Sequence, residues 1–243
     1  MYLDIPKNEH VMVHARLVNL LNRSPKLMDY KNASIYLLDA VRKLDPKSIV
    51  VPVFTYSFTN NLSFSINNSK TEVGRFSEEV RLQCSPKLRT LDPIFSVIDV
   101  ENFGWTSSEW NKEAFGHQSI WQSWDECNGI IINIDLPEIV STQIHYIEKI
   151  SQVPYRLNKT FIGNVSDLYD NTSKLQYNYF VRDLSHKFHW NRVKIISVLE
   201  DNNVVFNSTW HNIPIRWFRA KDIRKVLQPI MMSDPYHLLS LDD

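Results

Sequence analysis

His145 and Glu148 stand three residues apart in the stretch Ser141-Thr-Gln-Ile-His-Tyr-Ile-Glu-Lys-Ile150, a spacing that makes them neighbours on one face of a helix. An imidazole with an unperturbed pKa near neutrality, beside a carboxylate that can fix its tautomer, suits general-base chemistry. On a solvated helix face the same two residues are an ordinary surface pair, and the stretch alone does not separate the two readings. Other chemistries find less support. The eight histidines show no H-E-x-x-H spacing, no G-x-S-x-G is present, and the five glycines form neither G-x-G-x-x-G nor a P-loop. His186 and His189, three apart, fit a metal pair or a surface pair. Cys84 and Cys127 are too few for a zinc cluster and have no base beside them in the sequence.

The elements that would carry the pair are readable. Gly129-Ile-Ile-Ile-Asn-Ile-Asp-Leu136 is short, β-branched and apolar, which predicts a buried strand. Pro137 ends it. Ser141 or Thr142 then caps a helix with Ile144, Ile147 and Ile150 turned inward. In open α/β sheets ligands collect beyond the carboxyl ends of the strands, so a strand, loop and helix start bearing His and Glu form a site in outline. Upstream, Val11–Leu21 reads as a strand passing into a short helix, with His14 at the strand's end. Residues 33–44 read as a helix with Ile35, Leu38, Val41 and Leu44 in one stripe, ended by Asp45-Pro46. Ser48–Phe58 is a strand running into a hydroxyl-rich loop, and 59–70 a polar surface loop. Phe76–Leu82 is a helix, Ile94–Val100 a strand, and Ile120–Trp124 an amphipathic helix. Beyond Tyr155 the alternation in Lys194–Leu199 and Asn203–Phe206 predicts antiparallel strands, and Phe218–Ile230 a closing helix.

The totals bound the rest. At 243 residues, 43% hydrophobic and 22% charged, the chain can fill one large core. Twenty-seven basic residues against twenty-seven acidic ones argue against a cationic nucleic-acid surface. No apolar run reaches membrane-spanning length, and the first residues lack the pattern of a signal peptide. A cytoplasmic protein in a single unit over 1–243 is expected, with an antiparallel extension from about residue 156. The fold class expected is α/β, a mixed central sheet flanked by helices.

Taken in order, six segments resemble the aminoglycoside 3-N-acetyltransferase family. They are Val13-His-Ala; Val51-Pro-Val-Phe-Thr-Tyr-Ser-Phe58; Ser69 through Gly74 to Arg81; Arg89-Thr-Leu-Asp-Pro-Ile-Phe-Ser96; Phe115-Gly-His-Gln-Ser119; and Thr142-Gln-Ile-His-Tyr-Ile-Glu148 with Val153-Pro-Tyr-Arg156. The chain departs from the family in having Val53 for a usual Thr, Asn133 for a usual Gly, and far fewer glycines.

The resemblance implies an N-acetyltransferase with acetyl-CoA, or another acyl-CoA, as co-substrate and no metal. It places the general base on His145, with Glu148 either orienting the imidazole or binding the acceptor amine. It lays the pantetheine arm along Phe54, Thr55 and Tyr56, with Thr55 a candidate donor to the oxyanion. The CoA phosphates fall to Arg89, Thr90 and Ser96, with Arg81 assisting. The acceptor falls to Glu78, Phe115, His117 and Ser119. The partners implied are CoA and a small amine, an amino sugar, with no nucleic acid or membrane; a homodimer is compatible with the sequence. The neutral net charge favours a nucleotide-linked amino sugar over a polycationic aminoglycoside as acceptor. The aromatics Tyr177, Tyr179, Phe180, Trp190, Trp210 and Trp217 either line the acceptor site or fill core.

Overall fold

The structure, a computed structural model, describes residues 5–23, 29–185 and 187–241; His186, half of the candidate metal pair, lies outside them. In chain order the elements are β1 (His10–Ala15), α1 (Val18–Arg23), α2 (Tyr30–Arg42), β2 (Ser48–Pro52), β3 (Phe64–Ser65), α3 (Arg75–Gln83), β4 (Val97–Asp99), α4 (Ile120–Glu126), β5 (Ile130–Ile134) and α5 (Gln143–Ile150). There follow β6 (Arg156–Ser166), β7 (Thr172–Arg182), β8 (Phe188–Trp190), α6 (Arg192–Asp201), β9 (Val205–Trp210), β10 (Ile213–Arg219), α7 (Ala220–Ser233) and β11 (Leu239–Leu241).

Six strands form the central sheet in the order β4-β2-β1-β5-β10-β9. β1 runs parallel to both β2 and β5, while β4, β10 and β9 pair antiparallel. The sheet is therefore mixed, as expected. Strand alternation sends Val11, Val13, Ile49, Ile130 and Ile132 to one core with Leu37, Val41 and Phe76. Met12, Val50 and Ile131 face the other, with Trp121, Ile144, Ile147, Ile223 and Leu227. Helices α2 and α3 thus cover one face, and α4, α5 and α7 the other. Gly129 precedes β5 for a steric reason: a Cβ there would lie 2.4 Å from the ring of Trp124.

The antiparallel carboxyl-terminal part lies in three places, one of them the short pair β8–β11. The hairpin β6–β7 pairs eleven residues on each strand, from Arg156 opposite Arg182 to Ser166 opposite Thr172. β9 and β10 continue the central sheet, with β10 seated against β5. Lys194–Leu199 is helical rather than extended: the Asn191 side chain accepts from the Lys194 N–H at 2.9 Å, and Ile195 and Leu199, four apart, are buried together. Ile35 is 37% exposed, because the buried face of α2 centres on Leu37, Leu38 and Val41. The polar 59–70 loop contributes Phe64 and Ile66 to the core, so it is anchored from beneath.

Candidate active site

β5 delivers the chain to the site and Asn133 fixes the turn that follows. Its side chain accepts from the Val140 N–H at 2.6 Å and donates to the Val140 carbonyl at 2.9 Å. Asn133 therefore clasps the loop between β5 and α5. Thr142 is the N-cap of α5, without a side-chain cap bond. Ile144 and Ile147 are buried as the spacing predicts, whereas Ile150 is exposed.

The structure brings His145 and Glu148 together and surrounds them. His145 Nδ1 lies 2.6 Å from Glu148 Oε2. Arg156, the first residue of β6, places Nε 2.8 Å from the same oxygen and Nη2 2.7 Å from His145 Nδ1. Glu148 Oε1 accepts from the Tyr155 hydroxyl and from Trp190 Nε1, both at 3.0 Å. Glu148 has no exposed side-chain surface and both of its oxygens are occupied. That arrangement sets the carboxylate against the imidazole and leaves it no exposed surface.

Electrostatics follow from this cluster. Burial alone pushes the Glu148 carboxyl up, but Arg156, then His145 and Trp190, hold it below the usual carboxylate range. Burial and then the Arg156 charge lower His145, and Glu148 opposes them in part. Arg156 thus favours neutral imidazole at rest, while Glu148 stabilises the imidazolium once it forms. Nδ1 is taken by this cluster and 24% of the His145 side-chain surface stays open. The imidazole lines a cavity of about 360 Å³.

The walls of this cavity come from distant segments. Trp190 of β8 packs against His145, the rings tilted by 35° with centroids 4.5 Å apart, and Phe188, Arg182 and Arg192 complete the opening. Behind His145, Phe115 packs at 5.8 Å. A chain of rings continues through Phe95 to Phe54, at 5.1 and 5.2 Å between centroids. Trp190 therefore belongs to the site, while Tyr177, Phe180, Trp210 and Trp217 are core.

Most of the side chains expected to hold CoA have structural work instead. Arg89 is 2% exposed. It donates to Ser96 Oγ, Thr55 Oγ1 and the carbonyls of Val53, Ile66 and Ser69 at 2.7 to 3.4 Å. Its guanidinium is consumed inside the protein and cannot reach a phosphate. Thr55 donates to the Lys70 carbonyl and Ser96 to that of Val53, which withdraws the Thr55 hydroxyl as an oxyanion donor. Thr90 Oγ1 accepts from the Val97 N–H, and Phe54 is buried. Tyr56 is half-buried, with its hydroxyl pushed up to about 12 by burial.

The expected acceptor residues scatter in the same way. Glu78 pairs with Arg81 through two contacts of 2.8 Å, and Arg81 also donates to the Asn67 carbonyl. Ser119 caps α4 by accepting from the Gln122 N–H. His117 lines a separate cavity of about 280 Å³ together with Trp105, Trp110 and Asp92. Phe115 alone of this set touches His145. Burial raises both cysteine thiols, which disfavours a thiolate nucleophile.

Residues 45–232 match the family model described as aminoglycoside 3-N-acetyltransferase. The chain belongs to this family. Solved structures similar to this family member include aminoglycoside acetyltransferase AAC(3)-Xa, 15% identical, with a TM-score of 0.74 over 97% of this chain and 90% of that one. Another is AAC-IIIb as a binary with CoASH, 14% identical, TM-score 0.73, covering 95% and 92%. A third is a histidine-to-alanine mutant of AAC(3)-IVa in complex with a gentamicin, 16% identical, TM-score 0.71, covering 97% and 86%. These likenesses establish the fold. No curated protein matches the chain by sequence. By family, the chain is a CoA-dependent N-acetyltransferase.

Among the described residues, groups that would suit acetyl-CoA stand at the carboxyl end of β1. The carboxyl ends of the parallel strands β1, β2 and β5 meet where the strand order reverses, the usual seat of a nucleotide-bearing ligand. There His14 shares the Met12 side of the sheet, which is also the α5 side. Its Nε2 is buried with no hydrogen-bond partner among the described residues. Arg16 follows at the rim, its side chain 47% exposed and 3.6 Å from Asp135. An orphaned ring nitrogen and an accessible guanidinium suit amide and phosphate groups.

Proposed function

We propose that this N-acetyltransferase moves an acetyl group from acetyl-CoA directly to the amine of an amino sugar, with His145 as general base. The observation that carries this is the closed arrangement of His145, Glu148 and Arg156 beside a cavity. Acetyl-CoA supplies a thioester carbonyl that an amine can attack. The amine must shed a proton as the new bond forms. His145 takes it, and the Glu148 carboxylate, 2.6 Å from Nδ1, steadies the imidazolium that forms. Tyr155, Trp190 and Arg156 keep that carboxylate ionised and immobile. With both thiols shifted upward, no acyl-enzyme on cysteine is needed.

For the acceptor, an amino sugar linked to a nucleotide, as used in surface polysaccharide, is the first reading. It is supported by the neutral net charge and by the arginines at the cavity. An aminoglycoside is the second, and in that case the chain would confer antibiotic resistance. It is supported equally by the family description and by the gentamicin-bound neighbour. The test is His145→Ala. Acetyl-CoA affinity should hold while turnover falls by about 10²- to 10⁴-fold; unchanged turnover removes His145 from the mechanism.

A further inference from the structure

The charge of the cavity beside His145 is opposite to what a polycationic acceptor needs. Three arginines line it, Arg156, Arg182 and Arg192, and one carboxylate, Glu148. That carboxylate is buried and already spent on Arg156, His145, Tyr155 and Trp190. Arg192 reaches Glu138 across the rim, with about half of each side chain still exposed. Arg182 is exposed and has no ion-pair partner among the described residues.

The placement of Arg182 carries the point further. It is the direct cross-strand neighbour of Arg156 in the β6–β7 register, so both side chains leave the same face of the hairpin. Like charges directly opposite on antiparallel strands are destabilising. Glu148 compensates Arg156 and nothing among the described residues compensates Arg182. An anion held between Arg182 and Arg192 would complete the arrangement, and guanidinium groups bind phosphate through paired, charge-assisted hydrogen bonds. Trp190 and Phe188 supply an apolar flank on which a sugar or base ring can lie.

We infer that the acceptor is a phosphate-bearing amine, its phosphate held at the cavity mouth by Arg182 and Arg192 and its amine directed at His145. This rests on the reading of His145 as the base and adds the charge class of the substrate. It makes Arg182 a specificity determinant for the acceptor.

The experiment uses the full chain with acetyl-CoA and follows CoA release with three acceptors: glucosamine, glucosamine 6-phosphate and a uridine-diphosphate-linked amino sugar with a free amine. Gentamicin serves as the cationic control. The phosphate-bearing acceptors should be preferred over glucosamine by roughly tenfold or more in kcat/KM. Arg182→Gln should abolish that preference by raising the KM of the phosphate-bearing acceptors, with the KM for acetyl-CoA unmoved; Arg182→Lys should restore part of it. Equal use of neutral and phosphorylated acceptors, or preference for gentamicin, overturns the inference. So does an Arg182→Gln effect on the KM for acetyl-CoA alone, which would assign the arginines to CoA. If none of the acceptors is turned over, calorimetric titration of the phosphate-bearing acceptors decides: binding weakened by Arg182→Gln supports the inference and no binding overturns it. The His145→Ala variant separates the two levels, since unchanged turnover there rejects the base while leaving the Arg182 result standing.

Discussion

Trp190 packs its indole against the imidazole of His145 at 4.5 Å between centroids while its Nε1 donates to Glu148 at 3.0 Å. One side chain from β8 therefore holds both members of a pair that sits more than forty residues earlier. Trp190→Phe keeps a ring to stack and deletes the donor. A hydrogen bond to a charged acceptor is worth about 1.5–3 kcal/mol, so kcat should fall by about tenfold or more while acetyl-CoA binding is retained. Steady-state kinetics beside a direct binding titration checks this; an unchanged kcat would make the indole a packing group alone.

The titration of His145 has a stated direction. Burial and Arg156 hold the folded pKa below 6.5, with Glu148 pulling the other way. The imidazole should therefore remain neutral as pH falls through 6.5 and protonate below it. In Glu148→Gln the raising influence is gone and the midpoint should move lower still, with kcat reduced because the imidazolium loses its counter-charge. Following the His145 ring protons by NMR against pH reads this without interference from the acceptor amine. A midpoint above 6.5 in the wild-type chain would contradict the electrostatic assignment.

Arg89→Met tests the interior role of a residue whose sequence setting suggests phosphate. The substitution removes a guanidinium from five acceptors and leaves the Val53 and Ser69 carbonyls without a charged donor. Each buried acceptor left without a donor costs about 1–3 kcal/mol. Denaturant unfolding should show that loss, and the fraction that remains folded should bind acetyl-CoA as before. Normal stability with weakened CoA binding would return Arg89 to the co-substrate.

His14 sets a pH dependence of stability. Its pKa is lowered by burial to about 4 from an unfolded value of 6.5. The unfolded chain therefore binds a proton across that interval when the folded chain does not. Stability contributed by neutral His14 is complete above pH 6.5 and is lost as pH falls toward 4, by about 2–3 kcal/mol. His14→Gln should flatten that part of the stability profile measured by urea unfolding. An unaltered slope between pH 6.5 and 4 would show that the ring is solvated.

The pattern of residues made β5, α5 and the pairing of His145 with Glu148 readable, because strand and helix periods are local and the pair lies within one turn. Tyr155, Arg156, Trp190 and Arg182 acquire their roles through the β6–β7 hairpin and β8, contacts that no spacing encodes. Arg89 misled for a related reason: a basic residue in a Pro-flanked turn looks solvated until five acceptors from separate loops converge on it. The Lys194–Leu199 segment alternates like a strand, yet Asn191 caps it and the Ile195–Leu199 spacing turns it into α6. Asn133, unexpected by the resemblance, clasps the loop between β5 and α5 through Val140.

The seating of β10 against β5 has a consequence for synthesis. His145 leaves the ribosome early, but β5 gains its second neighbour only with residues 213–219, and Trp190 arrives between the two. His145 is thus made before the strand beneath it has both neighbours. Nascent chains halted short of residue 219 would lack the neighbour that completes the strand beneath the site.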